Sequence, residues 1–358
     1  MSSAARKLMS ASGGAGGGAI AVAHTDSPFV TAYSWDVDNG FGGKFSNPST
    51  LPTQDAEDVT FSPDGSVIAL ATASYNYYIV AYPWSGSGFG TKYANPSTLP
   101  SPGTDIEFSP DGSAIAMSEA SSPRVSVYPW SGSGFGSRYS NPSTLPTGGG
   151  IGVAFSPNGS AIAVAHISSP YVSAYPWSGS GFGSKYSNPS TLPAGNGLSV
   201  AFSPDSSAIA VGHQSSPYIS AYPWSGSGFG TKYSNPSTLP PYNINDVTFS
   251  PDGSVIALAT GLSPYVLAYP WSGSGFGSKY SNPSTLPANN GGGCRGVAFS
   301  SDGLALAVAN DGSPNVTVYP WSGSGFGTKY ANPSNPPPNT GYGVAFSTVG
   351  DPQIAYNY

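Results

Sequence analysis

An all-β fold, a seven-bladed β-propeller of four-stranded antiparallel blades, is what this chain predicts, on three observations. The nine residues Tyr175-Pro-Trp-Ser-Gly-Ser-Gly-Phe-Gly183 recur from Tyr82, Tyr128, Tyr222, Tyr269 and Tyr319, and a degenerate copy runs from Tyr33 to Gly43. All seven tryptophans, Trp35, Trp84, Trp130, Trp177, Trp224, Trp271 and Trp321, fall in these copies, about 47 residues apart. A period in this range marks a repeat whose units cannot bury their apolar faces alone. Finally, each unit reads as four short strands with no helical periodicity, and the two chain ends carry complementary pieces of one unit.

Taken in order, residues 1–18 are rich in Ala, Ser and Gly around Arg6, Lys7, Leu8 and Met9, and have no pattern that could build a core. They predict an N-terminal arm. The fourth unit shows the strands best. Residues 152–156 alternate apolar and small side chains and lead into Ser-Pro-Asn-Gly, which is Ser-Pro-Asp-Gly from Ser62, Ser109 and Ser250. Proline presets the first turn position and glycine takes the positive φ, so this is a tight hairpin. Residues 161–166, Ala-Ile-Ala-Val-Ala-His, suit a strand packed on both faces. Residues 171–175 form a third strand ending at Pro176-Trp177, residues 182–187 an outer fourth, and 188–193 the link to the next unit.

The N-terminal copy holds strands two to four, whereas residues 343–347 supply an innermost strand with no third strand after it. Pairing them closes the ring. Residues 351–356 resemble another second strand, but residues 19–24 have the better turn into the next strand. The expected organisation is an arm over 1–18, a propeller over 19–349 and a tail over 350–358.

The 17 acidic against 11 basic residues give a net charge of −6, which argues against a nucleic-acid binder. Seven of the cations, Lys44, Lys92, Arg138, Lys185, Lys232, Lys279 and Lys329, recur once per unit and read as a solvated ring on the outer strands. The one cysteine, Cys294, excludes an internal disulfide. No run is apolar enough to insert in a membrane. Arg6 and Lys7 imitate a secretory signal, but cleavage near Ala23 would remove a strand.

The consensus Val-Ala-Phe-Ser-Pro-Asp-Gly, from which each copy departs by one residue or two, then a small apolar strand, then a strand ending in Trp, resembles the WD-repeat propellers over about residues 19–347. No Gly-His dipeptide precedes the first strand, and Ser follows Trp in every copy but Trp35-Asp36. The buried His-Ser-Asp-Trp network of that family is therefore not expected. The Tyr-Pro-Trp-Ser-Gly-Ser-Gly-Phe-Gly and Lys-Tyr-Ser-Asn-Pro-Ser-Thr-Leu-Pro patterns, and the opening around Arg6–Met9, also resemble structural proteins of tailed bacteriophages, marine ones included.

One face of the disc carries the nearly invariant Ser-Pro-Asp-Gly and Ser-Gly-Ser-Gly turns, and the other carries segments that differ between units. Variation concentrated in loops on a rigid body points to recognition. The candidate binding residues on that face are Phe29, Tyr75, Tyr77, Tyr78, Arg124, Tyr171, Gln214, Tyr218, Tyr242, Tyr265 and Asn315, aromatics among polar neighbours that suit sugar rings. The recurring Tyr at the start of strand three fits packing equally well.

His24, His166 and His213 share one register at the end of strand two, where other units have Thr72, Glu119, Thr260 and Asn310. Equivalent positions lie around a circle, so they do not converge as a metal needs. Asp58, Asp105 and Asp246 share a register near the mouth of the central channel, where oxygen ligands would suit calcium; whether they hold a cation stays open. The glycine-rich run lacks the context of a phosphate loop. No nucleophile elbow or diverging acid and base is visible. The expectation is therefore a non-enzymatic protein with no cofactor. It would be a phage virion component in multiple copies, anchored to other virion proteins by Arg6, Lys7, Leu8 and Met9, with its variable face on a host-surface glycan or protein. The alternatives are a decoration protein without a ligand, a secreted or cell-surface protein, and a propeller enzyme acting on surface polysaccharide.

Overall fold

The computed structural model describes residues 18–73 and 78–347. They form seven antiparallel sheets, each ordered from an innermost strand at a central channel outward. The fourth unit runs Gly150–Phe155, Ala161–His166 and Val172–Pro176, the second strand pairing with both others.

The alternation within the second strand sets the spacing between blades. Ala161, Ala163 and Ala165 face one neighbouring blade, where they meet Ile209, Val211 and Tyr222. On the other face Ile162 and Val164 meet Ala114 and Ala116 of the preceding blade. Each interface thus sets small side chains against larger aliphatic ones, the arrangement that lets facing layers interdigitate. The residues are completely buried.

The repeated nine-residue stretch forms the outer half of the same interface. Trp177 meets Phe182 and Phe155 of its own blade and Tyr139 of the preceding unit, all edge-on at centroid distances of 5.4, 5.5 and 5.2 Å. Edge-to-face contacts of this kind are favoured by the ring quadrupole. Two residues earlier, the Tyr175 hydroxyl donates to the Thr144 carbonyl at 2.8 Å, and Tyr82, Tyr128, Tyr222, Tyr269 and Tyr319 do likewise to Thr50, Thr98, Thr191, Thr238 and Thr285. Each buried tyrosine therefore ties down the link that leads into its blade, which explains why Ser-Thr-Leu-Pro repeats with it.

Closure follows the expected route. Gly341–Phe346 pairs with Gly18–His24, which is followed by Val30–Asp36 and Gly40–Lys44 in one four-stranded sheet. The outer strand is shorter than the sequence predicts. In the fourth unit it shrinks to a single bridge between Trp177 and Phe182, because Pro176 cannot donate and the Ser-Gly-Ser-Gly turn leaves the ladder at once. Tyr186 N still donates to Ala174 O at 2.9 Å, so the segment stays alongside. The predicted tail, 350–358, and most of the arm lie outside the described residues.

Candidate active site

The innermost strands line a channel cavity of about 630 Å³. In six blades the pairing of first and second strands shifts register near one mouth. In the first full blade Ala56 pairs with Thr72 and Asp58 with Ala71, so Glu57 is an extra residue without a partner. By the same count the extra residues elsewhere are Ile151, Leu198, Asn245 and Arg295, with Tyr342 in the bulge of the closing blade. A bulge releases one residue from the ladder and re-aims its side chain. All six line the cavity, together with Thr104 of the remaining blade.

Around the ring these residues sort by chemistry. Asn245, Arg295, Tyr342, Glu57 and Thr104 come from consecutive blades and make a polar arc, and Ile151 and Leu198 complete the circle as an apolar one. The Arg295 guanidinium lies over the Tyr342 ring, 4.3 Å from its centroid, and its buried Nε has no hydrogen-bond partner. Asn245 Nδ2 donates to the Cys294 carbonyl at 2.7 Å, and Thr104 Oγ1 to the Ile151 carbonyl at 2.6 Å. Burial pushes the Glu57 carboxyl above its ordinary range, an effect that the charge of Arg295 partly offsets and that of Asp55 reinforces.

One residue deeper lies the ring Asp58, Asp105, Gly152, Ser199, Asp246, Gly296 and Gly343. Its carboxylates accept from backbone amides that face the channel and have no strand beyond them. Asp58 Oδ2 accepts from Ile106 N at 3.3 Å, Asp105 Oδ2 from Val153 N at 2.7 Å, and Asp246 Oδ2 from Val297 N at 2.8 Å, each in the next blade. Deeper still, Glu107 Oε2 accepts from Phe155 N at 2.5 Å. The glycines are needed where strands come closest: a Cβ on Gly343 would stand 2.7 Å from Asp58 Cα, and one on Gly152 2.9 Å from Ser199 Cα.

Desolvation dominates the titration of these acids. It raises Asp58 well above the carboxylate range, helped by the charge of Asp105, and Asp58 and Asp105 hydrogen-bond to each other. Desolvation raises Asp105 as well, so burial disfavours the charged form of both members of the pair. Glu107 is pushed up to about 8 and Asp246 to about 7, both chiefly by burial. Among the described residues no group of three or more His, Cys, Asp or Glu is placed to hold a metal ion. The three aspartates staple neighbouring blades, and Asp246 is held by Ser199 Oγ and Val247 N, both at 2.8 Å, besides Val297 N.

The histidines stay apart. His24, His166 and His213 are fully buried, and each Nε2 hydrogen-bonds with a strand-three hydroxyl, of Thr31, Ser173 and Ser220, at 2.9, 3.0 and 3.1 Å. Asn310 takes the same part with Thr317 at 3.1 Å.

The candidate binding residues ring the same mouth on the outer face. Phe29, Arg124, Tyr171, Tyr218, Tyr265 and Asn315 occupy one loop position with φ of 65–78°. Phe29, Tyr78, Tyr218 and Tyr265 pack against the inter-blade cores. Arg124 Nη1 donates to the Ala120 carbonyl at 2.8 Å, Asn315 Nδ2 to the Pro337 carbonyl at 2.8 Å, and Gln214 Oε1 accepts from Asn196 at 3.0 Å. Tyr242 is 48% exposed, with its ring 6.3 Å from that of Tyr218. Tyr75, Tyr77 and the predicted anchor Arg6, Lys7, Leu8 and Met9 lie outside the described residues. Glu57, Arg295 and Tyr342 were not among the sequence candidates. In three blades a pair of adjacent polar residues, Glu57-Asp58, Thr104-Asp105 and Asn245-Asp246, breaks the alternation of the strand and marks Glu57, whereas Arg295 and Tyr342 are followed by glycine and carry no such mark.

No family model matches the chain, and no curated protein matches it. Solved structures do. The chain is similar to a candidate 6-phosphogluconolactonase of Bacteroides fragilis, with a TM-score of 0.74 at 11% identity over 92% of this chain and 97% of that one. It is similar to the periplasmic gluconolactonase of Pseudomonas aeruginosa, with a TM-score of 0.68 at 14% identity over 93% and 99%. Hydrazine synthase of Kuenenia stuttgartiensis gives a TM-score of 0.57 at 16% identity over 76% and 79%. Identities this low show a shared fold. They also correct the expectation of a non-enzymatic phage virion component: the architecture's neighbours bear the names of enzymes, and neither the phage nor the WD-repeat resemblance gains support from them.

Proposed function

We propose that this chain is a hydrolase that opens cyclic esters of the sugar-lactone class at the bulge-lined mouth of its channel. The observation that carries the proposal is the ring of bulges, which sets the Glu57 carboxyl, the Arg295 guanidinium and the Tyr342 ring on consecutive innermost strands beside an apolar wall. The names of the lactonases that share the fold agree with that chemistry.

In the proposed reaction a lactone ring lies with its C–H face on Ile151 and Leu198 and its carbonyl oxygen toward Arg295. Glu57 takes a proton from water as the water oxygen bonds to the carbonyl carbon. The Arg295 guanidinium, which lines the cavity, hydrogen-bonds the oxyanion that forms. The ring C–O bond then breaks, and Glu57 returns its proton to the departing ring oxygen. Water is consumed and a hydroxy acid leaves. Desolvation raises the Glu57 carboxyl, which makes it a stronger base than an exposed carboxylate.

The test is catalysed opening of a panel of five- and six-membered sugar lactones, followed by proton release in a weakly buffered indicator assay. Saturable turnover above the spontaneous rate, lost in Glu57→Gln, is expected. A folded protein that accelerates no member of the panel overturns the proposal.

A further inference from the structure

We infer that the ring bound at the mouth carries no phosphate or other fixed negative charge. The inference rests on the lactone reading for the identity of the ring, and on the charge of the channel for the rest. Among the described residues lining the cavity, Arg295 is the one cation, and it shares the mouth with the Glu57 carboxyl; the deeper Asp58, Asp105, Glu107 and Asp246, which burial shifts toward their protonated forms, offer a phosphate no positive charge. Asp55 adds a further negative charge close enough to raise both Glu57 and Tyr342.

Arg295 is also already committed. Its guanidinium stacks on Tyr342 and its one positive charge also acts on Glu57, so it cannot balance both a developing oxyanion and a phosphate dianion. Proteins usually hold phosphate with a helix N-terminus, a basic cluster or a bidentate arginine. Every element among the described residues is a strand, which removes the first. The once-per-unit lysines are on the outer strands, where Lys44, Lys185, Lys232, Lys279 and Lys329 donate to Asn47, Asn188, Asn235, Asn282 and Asn332, which removes the second. Arg124 shares the outer face but folds back onto its own loop at Ala120. An apolar wall on one side and neutral hydrogen-bonding groups from Asn245 and Thr104 on the other match an uncharged polyhydroxylated ring instead.

The experiment is calorimetric binding to the full chain of gluconolactam, an uncharged ring that cannot be hydrolysed as a lactone, and of its 6-phosphate ester, at pH 7.5 and low salt. The unphosphorylated lactam should bind at least tenfold more tightly, and Asp55→Asn, at an unchanged melting temperature, should narrow that ratio several-fold. Equal or tighter binding of the phosphate ester overturns the inference, as does failure of both to bind; loss of the ester's binding in Arg124→Ala would then identify what holds the phosphate. Binding of the lactam with no lactone turnover sinks the hydrolase proposal and leaves the charge inference standing.

Discussion

The tryptophan belt and the channel mouth are built from the same seven repeats and treat them in opposite ways. At the belt, the Tyr-Pro-Trp stretch supplies almost the same side chains in every blade, in the same edge-on contacts. At the mouth, seven equivalent positions hold seven different residues: Glu57, Thr104, Ile151, Leu198, Asn245, Arg295 and Tyr342. Repetition makes the blades interchangeable as packing units, and a ring of interchangeable blades frees one position per blade to be chosen for chemistry. What differs is therefore the better guide to function, and what repeats is the better guide to fold.

The contrast can be broken most forcefully at the belt. Trp177→Ala should cost about 3–5 kcal/mol of stability in chemical denaturation, because it empties a packed site shared by two blades. The equivalent change at Trp224 should cost nearly the same. At the mouth the expected pattern reverses. Glu57→Gln should lower kcat/KM for a lactone about 10²–10³-fold while shifting the melting temperature little. A comparable loss of stability in Glu57→Gln would mean that the mouth is scaffold too.

A subtler division appears in the pH dependence of melting. Glu107 and Asp246 keep their protons up to about 8 and about 7 in the folded chain, against about 4 for carboxyls in an unfolded one. The folded state thus holds more protons across that window, and stability falls as pH rises through it. His166 and His213 are pushed down to about 4 by burial, so the folded state binds fewer protons than the unfolded one from there up to about 6.5, and stability falls as pH drops through that range. Between about pH 4 and 6.5 the two effects oppose each other, so calorimetric melting should show the fall in stability most clearly from about pH 6.5 to 8, where the histidines no longer titrate, and Glu107→Gln should flatten that fall. The smallest effect should come from the lysine ring, where Lys185→Ala should change stability by no more than about 0.5 kcal/mol.

Much of the fold could be read from the chain before any coordinates. Trp and Pro spacing reveals the blades, Ala161-Ile-Ala-Val-Ala predicts burial on both faces, and the unmatched ends predict closure. The outer strand was overestimated because its length depends on a ladder that proline and glycine interrupt. The site was harder to see, since a strict two-residue period assigns Glu57 and Asp58 to opposite faces. An inserted residue undoes that assignment, and only pairing with the second strand reveals it. The shared strand-end register of the histidines was legible, but not their bonds to the hydroxyls of Thr31, Ser173 and Ser220 across the strand. The acids Asp58, Asp105 and Asp246 were placed correctly near the mouth, but not their bonds to the next blade's amides, which depend on how closely the innermost strands approach.

Ring closure has a further consequence for the site. Tyr342 lies on the last described strand, Gly341–Phe346, which is held in place by Gly18–His24 from the other end of the chain. Its neighbours at the mouth, Arg295 and Glu57, come from the last and first complete blades. The proposed catalytic arc therefore spans the seam of the ring and exists only after the two ends have met. A chain in which that pairing is lost would part Tyr342 from Glu57, so that the proposed turnover would report on whether the circle is whole.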